Sequence, residues 1–472
     1  MLFRSSWKVT DLSDQNGGED RGDFVYDTLL IDTTSGNWTP NIATAMTPSA
    51  NDTTWTMKLH PGVKFTDGTP LNAAAVVWNV ENLLNPANGF GDLGEVSLIS
   101  KVTAVNATTV KFTLKFASGS FPLVFGSLPG MMMSPTAYQR NPSAFANQPV
   151  GAGPFMVKSF VRNSETILVR NPHYWDAPKP YLNQVDIKII TDGTVRAQDL
   201  ESGQADLVAN QPQVAAVVAH NANLKIFSTV FDGADAIVPN QDVAPFNNVD
   251  IREAMALGWS YAVVNDDLEQ GAWPQESLGC PPFAPGMAQC AKGVWPKPDV
   301  AKAKQLVQAY VAAGHTLGTY SLLTNTDRIP EADLIQQEMS DIGIKLTIVA
   351  VPNAEFTARL NSGSFQVAYN GVTSFNNVPW NFYRNIDCKQ RHAQQGPCNN
   401  TLEAAIQQAS YGVTTAERAA AAKTIQKIDA TEYDYLWFGP EESGLAGNKK
   451  VELGPRYPGI DTVVAQDIWL NS

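Results

Sequence analysis

Residues Gly62–Leu84 read GVKFTDGTPLNAAAVVWNVENLL and join a strand, a turn and a helix end to end. Just upstream, Trp55, Met57 and Leu59 alternate with Thr56, Lys58 and His60, the period-two pattern of a strand with one buried face. Pro61-Gly62 interrupts the run, Val63 and Phe65 resume it, and Asp67-Gly68 supplies a tight turn. Thr69 is expected to cap the following helix, with Pro70 at its first position, where a missing N–H costs nothing. Ala73, Val76, Val77, Val80, Leu83 and Leu84 then form one apolar helical stripe. Asp67 is the one acid in the turn, and ahead of a glycine it reads as a turn residue rather than a catalyst. The stretch is scaffold.

The chain has 472 residues, and a prior of ~150 residues per domain suggests about three domains. Its net charge of −13, without any clustered Lys/Arg stripe, argues against a nucleic-acid partner. No run approaches the ~18 apolar residues of a membrane-spanning helix. Four cysteines form two similar pairs: Cys280 and Cys290 flank PPFAPGMAQ, and Cys388 and Cys398 flank KQRHAQQGP. Such segments have little hydrophobic content, and a disulfide closing each would restrict the unfolded chain by ~2–3 kcal/mol. Two local disulfides, expected ahead of four buried thiols or a zinc site, would place the protein in an oxidising compartment. The opening MLFRSSWKVTDLSDQ has neither an apolar signal core nor a lipidation motif, and taken alone it would point to the cytoplasm.

Further along, KVTAVNATTVKFTLKF predicts a hairpin turning at Asn106, and GAGPFMVKSF and ETILVRN predict more strands. VDIKII, a helix ending in LESGQADLV and the strand after it suggest an α/β sheet. DIREAMALGWSYAVV and DVAKAKQLVQAYVAAG read as helices, the second ending at Gly314. GTYSLLTN, PEADLIQQEMSDIG and IKLTIVAV spell a βαβ unit, FQVAYNGV a short buried strand, and TTAERAAAAKTIQKIDATEYDYL a long helix. There is no G-x-S-x-G, P-loop, G-x-G-x-x-G or H-E-x-x-H motif. With the five histidines scattered, no metal and no cofactor is expected.

Several segments, in order, resemble one family: WTMKLHPGVKFTDGTPLNAAAVV, GAGPFMVKSF, RNPHYWDAPKPYLNQVDIKII, DLESGQADL, PFNNVDIREAM and MSDIGIKL. They are similar to the extracytoplasmic solute-binding proteins of ABC transporters, in the peptide/oligopeptide/nickel-binding family. The resemblance implies an α/β, class II periplasmic-binding-protein-like fold, with two lobes, a hinge and an extra domain. Domain I would comprise residues 1–37, 150–243 and 436–472, domain II 38–149, and domain III 244–435. It also implies a non-enzymatic monomer that is periplasmic or extracellular. Its partners would be a small-molecule or peptide ligand and a transporter permease. Membrane contact would run only through a lipid anchor absent from this chain. Three features depart from the family pattern. Its opening strand is not recognisable in residues 1–20, and Ala74-Ala75 replaces an acidic pair. VTSFNNVPWNFYRNIDC stands where dipeptide-type members place an Asp for the ligand's amine.

By position in that pattern, the pocket is expected to take Asn370, Phe375, Asn376, Asn377 and Trp380 from one lobe, with FDGADAIVPN on the hinge side. Phe375 and Trp380 could stack on planar groups or sugar faces, and the asparagines could donate and accept hydrogen bonds. Asp232 or Asp235 could stand in for the lost carboxylate, since a buried ammonium without a partner is costly. For each aromatic the bland alternative is core packing, and for each asparagine a turn. Arg384 is a carboxylate clamp or a surface ion pair, and HYW at residues 173–175 reads as a structural loop. The expected ligand is an oligopeptide or other polar molecule, with a carbohydrate as the alternative and a secreted hydrolase as the reading from another class.

Overall fold

The computed structural model describes residues 6–12, 18–32, 37–90, 94–190, 192–209, 212–267, 293–326, 328–373, 399–454 and 465–471. β1 (Leu30–Asp32) and β2 (Trp38–Pro40) form a short antiparallel pair. β3 (Ala43–Pro48), β4 (Thr54–Leu59), β5 (Ile99–Asn106) and β6 (Thr109–Leu114) make an antiparallel sheet ordered β3-β4-β6-β5. The alternation in β4 places Trp55, Met57 and Leu59 in the core and leaves Lys58 outside. The hairpin of β5 and β6 turns beyond Asn106, as the sequence predicts.

The scaffold helix spans Ala73–Leu84, three residues later than expected. Thr69 is committed elsewhere: its hydroxyl donates to Asp67 Oδ1 at 2.5 Å, and its amide donates to the same oxygen at 2.9 Å. Pro70 bridges to Lys64. Asn72 becomes the cap, accepting from the Ala75 amide at 3.1 Å. The turn reading of Asp67 fits its contacts, because its second oxygen accepts from Ser134 at 2.7 Å.

β7 (Phe155–Val161), β8 (Glu165–Arg170) and β9 (Gln184–Lys188) form an antiparallel sheet in chain order. A six-stranded sheet follows the order β10-β15-β11-β14-β12-β13. Its members are β10 (Leu207–Ala209), β11 (Leu224–Pro239), β12 (Thr319–Asn325), β13 (Lys345–Val351), β14 (Val367–Thr373) and β15 (Leu436–Asn448). β9 and β10 therefore lie in different sheets, and the strand–helix–strand read around LESGQADLV is no single βαβ unit. The later one is real: β12 and β13 run parallel, joined by the helix Ile329–Asp341. β16 (Val451–Glu452) pairs with β17 (Trp469–Leu470). The helix read through DIREAMALGWSYAVV divides into Val249–Gly258 and Tyr261–Asp267, with Trp259 extended and buried between them.

Apolar packing separates the chain into cores. The first gathers Trp7, Tyr26, Trp55, Val76, Phe112, Phe125 and Phe155, together with Leu453 and Ile468 near the end of the chain. A small cluster of Ala197, Leu200, Val214, Leu224 and Ala446 lies at one end of β11 and β15. Two more cores cover the faces of β12 and β14: Phe246, Met255, Ile335 and Tyr369 belong to one, and Phe356, Ile406, Ile425 and Trp437 to the other.

Candidate functional site

β11 and β15 connect these cores. At one end Leu224 pairs with Asn448, and at the other Ile237 pairs with Leu436. The register slips three times between, including the step from Phe231 to Ala234 and that from Asp235 to Ala236. A bulge leaves a residue unpaired and bends its strand, so the two strands are bent in mid-course between the cores.

On one side of the bulge lie the carboxyl ends of the parallel strands β12, β13 and β14, where open α/β sheets place their ligands. Three side chains meet there. Asp235 on β11 forms an ion pair with Arg328, which sits at the start of the helix following β12. Tyr369 on β14 donates its hydroxyl to the other Asp235 oxygen at 3.1 Å. Its ring centroid is 5.4 Å from the Arg328 guanidinium, a cation–π distance. Burial and the neighbouring Asp235 push the Tyr369 phenol well above its usual range, so it remains a donor. The Arg328 side chain is 22% exposed and that of Asp235 14%, so both border solvent.

Gly371 explains how two charged groups fit over β14. A Cβ there would sit 3.0 Å from both Arg328 Nη2 and Asp235 Oδ1. Asn370 is its neighbour, paired with Ala236 and half-buried. Of the expected pocket residues, Asp235 stands in this cluster, whereas Asn370, one residue before Gly371 on β14, points to the opposite face of the sheet. Asp232 lies on the bulged part of β11, and its side chain lies outside the description. Phe375, Asn376, Asn377, Trp380 and Arg384 lie outside the described residues, as do Cys280, Cys290, Cys388 and Cys398.

Sequence reasoning missed Arg328 and Tyr369. Their signal was positional: Arg328 follows GTYSLLTN at the carboxyl end of the βαβ unit, and Tyr369 lies inside FQVAYNGV. The HYW loop has a structural role. Buried Asp27 accepts from Tyr174 Oη at 2.6 Å, Trp175 Nε1 at 2.8 Å and Asn41 Nδ2 at 2.5 Å. Among the described residues no cluster of His, Cys, Asp or Glu is suited to a metal ion, and no helix is long and apolar enough to cross a membrane.

Residues 37–394 match the family described as bacterial extracellular solute-binding proteins, family 5. The chain belongs to that family. Among curated relatives, the glutathione-binding protein GsiB of Escherichia coli O157:H7 is 28% identical over 327 residues, and that of Salmonella typhi 29% over 325. Each match takes in 68% of this chain and spans 62% of the relative's length. Solved family 5 folds superpose over nearly the whole chain. The periplasmic binding protein DppA from Helicobacter pylori, in complex with peptide STSA, gives a TM-score of 0.85 at 21% identity, covering 100% of this chain and 97% of that one. AgaA from A. tumefacien R10, in complex with agropinic acid, gives 0.79 at 20%, covering 99% and 95%. NikA from Brucella suis, in complex with Fe(III)-EDTA, gives 0.80 at 19%, covering 96% and 95%. At such identities the likeness is one of fold, and this chain has the α/β family 5 fold.

Proposed function

We propose that this family 5 protein captures a small polar solute bearing a carboxylate, peptide-like in character, between two lobes. It then delivers the solute unaltered to an ABC transporter permease outside the cytoplasm. The lobes correspond to domain I (residues 1–37, 150–243 and 436–472) with domain II (38–149) on one side, and domain III (244–435) on the other. The observation that carries the reading is the partly exposed Arg328 at the carboxyl ends of β12 and β14, beside the bulged strands that join the cores. A guanidinium recognises a carboxylate through parallel hydrogen bonds, and its fork is already oriented by Asp235 and the Tyr369 ring. Asp235 is engaged with that cation, which argues against its serving as the main partner of a ligand ammonium. The ligands named for the relatives, glutathione, peptide STSA and agropinic acid, each carry a carboxylate.

The aromatic and asparagine loop read as NNVPWN favours a second reading, a carbohydrate in the same cleft. Thermal-shift measurements with short peptides, their C-terminal amides and oligosaccharides separate the two. A ligand at ~100 times its Kd stabilises the protein by ~2.7 kcal/mol. Free-acid peptides are expected to raise the melting temperature, their amides to do so less, and Arg328→Met to abolish the difference. Stabilisation by oligosaccharides alone, unaffected by Arg328→Met, would replace the peptide reading with the carbohydrate one. Chemical conversion of any bound solute, followed by mass spectrometry, would move the protein to the hydrolases.

A further inference from the structure

The lobes also touch away from the hinge strands. Residues Phe116–Ser120 follow β6 and lead into Phe121, Val124 and Phe125 of the first core. Residues 412–414 turn between the helices Asn400–Tyr411 and Thr415–Glu432, whose inner faces pack in another core. Ser120 Oγ donates to the Ser410 carbonyl at 2.7 Å, and the Ser118 and Ser120 hydroxyls lie 3.1 Å apart. All three serines are fully buried. The Phe116 and Tyr411 rings meet edge to face at 5.2 Å. Tyr411 packs against the first core, although Leu402, Ile406 and Ala409 of the same helix belong to the other. Gly119 abuts the Val413 carbonyl so closely that any Cβ would collide with that backbone.

The chemistry is that of a helix end. The last four carbonyls of a helix have no partner within it. Ser410 is the penultimate residue of its helix, and its carbonyl finds a donor on the opposite lobe. The turn presenting it is stiff. The Gly412 amide donates to the Gln408 carbonyl at 2.8 Å, and buried Arg418 donates to the Gly412 carbonyl at 2.8 Å. Thr414 and Glu417 close a capping box on the next helix. A rigid tip is thus seated against a position that carries no side chain.

We propose that Phe116–Ser120 and the 410–413 turn form a detachable latch, which holds the lobes of the unliganded protein in the arrangement seen here. The proposal rests on the two-lobe binding reading. Its consequence is kinetic and energetic together. Pre-arranged lobes raise the population competent to hold solute, and release requires the latch to part.

Small-angle X-ray scattering of the full unliganded chain tests it. The wild-type profile is expected to match this structure, and Gly119→Ala is expected to enlarge the radius of gyration while leaving the circular dichroism spectrum unchanged. Superimposable profiles for the two proteins overturn the latch. Ser120→Ala, which adds no bulk, is expected to speed amide exchange across 410–413 by roughly fivefold, the effect of losing one buried hydrogen bond. Exchange there at the wild-type rate overturns it too, and this arm stands even if Gly119→Ala does not fold. Neither readout uses a solute, so a failed search for ligand bears on the binding reading and leaves the latch result intact.

Discussion

Asp27 ties three segments together through one carboxylate. Burial pushes its pKa up, and hydrogen bonds from Tyr174, Trp175 and Asn41 oppose that shift. Asp27→Ala would leave three donors facing a void, with a cost of about 1–3 kcal/mol for each that stays buried. A clear fall in melting temperature, with ligand response retained in the folded fraction, is the expected outcome. Glu338 offers a pH test. It accepts the Ser260 amide at 2.8 Å where the helix breaks after Trp259, and burial together with Asp341 pushes its pKa up to about 7. A carboxyl raised on folding stabilises the fold fully below its unfolded pKa, and that contribution disappears as pH climbs through the folded value. Stability should therefore decline between about pH 4.5 and 7, and Glu338→Gln should flatten that slope in denaturant titrations. The cysteines remain a proposal of two local disulfides: alkylation of non-reduced, exported protein should label none of Cys280, Cys290, Cys388 and Cys398. Of these residues, only the cysteines announced themselves in sequence. Asp27 and Glu338 are defined by neighbours far along the chain.

At the scale of elements, periodicity was a reliable guide to existence and a weaker one to boundaries. The apolar stripe from Ala73 to Leu84 forms its helix, yet the cap moved from Thr69 to Asn72 because Asp67 had already engaged the threonine. Asn72→Ala should accordingly cost about 1 kcal/mol, measured by urea unfolding, and Thr69→Val should act instead through the turn. The βαβ unit from Thr319 to Val351 was legible because a buried parallel strand, a helix and a second strand each fill their own pattern. The divided helix at Trp259 was not. A continuous apolar periodicity conceals a break enforced by packing, where Gly258 lies against Ile342 and Ser260 is held by Glu338.

At the scale of the molecule, separate cores joined by two bulged strands predict that unfolding is not a single two-state step. Calorimetry should give a measured enthalpy larger than the van't Hoff value. A solute bridging the lobes should draw the transitions together, since it favours only the state in which both are folded. The sequence by itself determined the secondary-structure grammar and the α/β class, because turn chemistry and apolar periodicity act over a few residues, while the family came through the resemblance of several ordered segments. Tertiary structure alone decided that Asp235, Arg328, Tyr369 and Gly371 meet, and that Ser120 completes a helix end 290 residues away. The reason is physical: a charge's partner, or the donor for an orphan carbonyl, is fixed by sheet order and lobe packing, which leave no local trace along the chain.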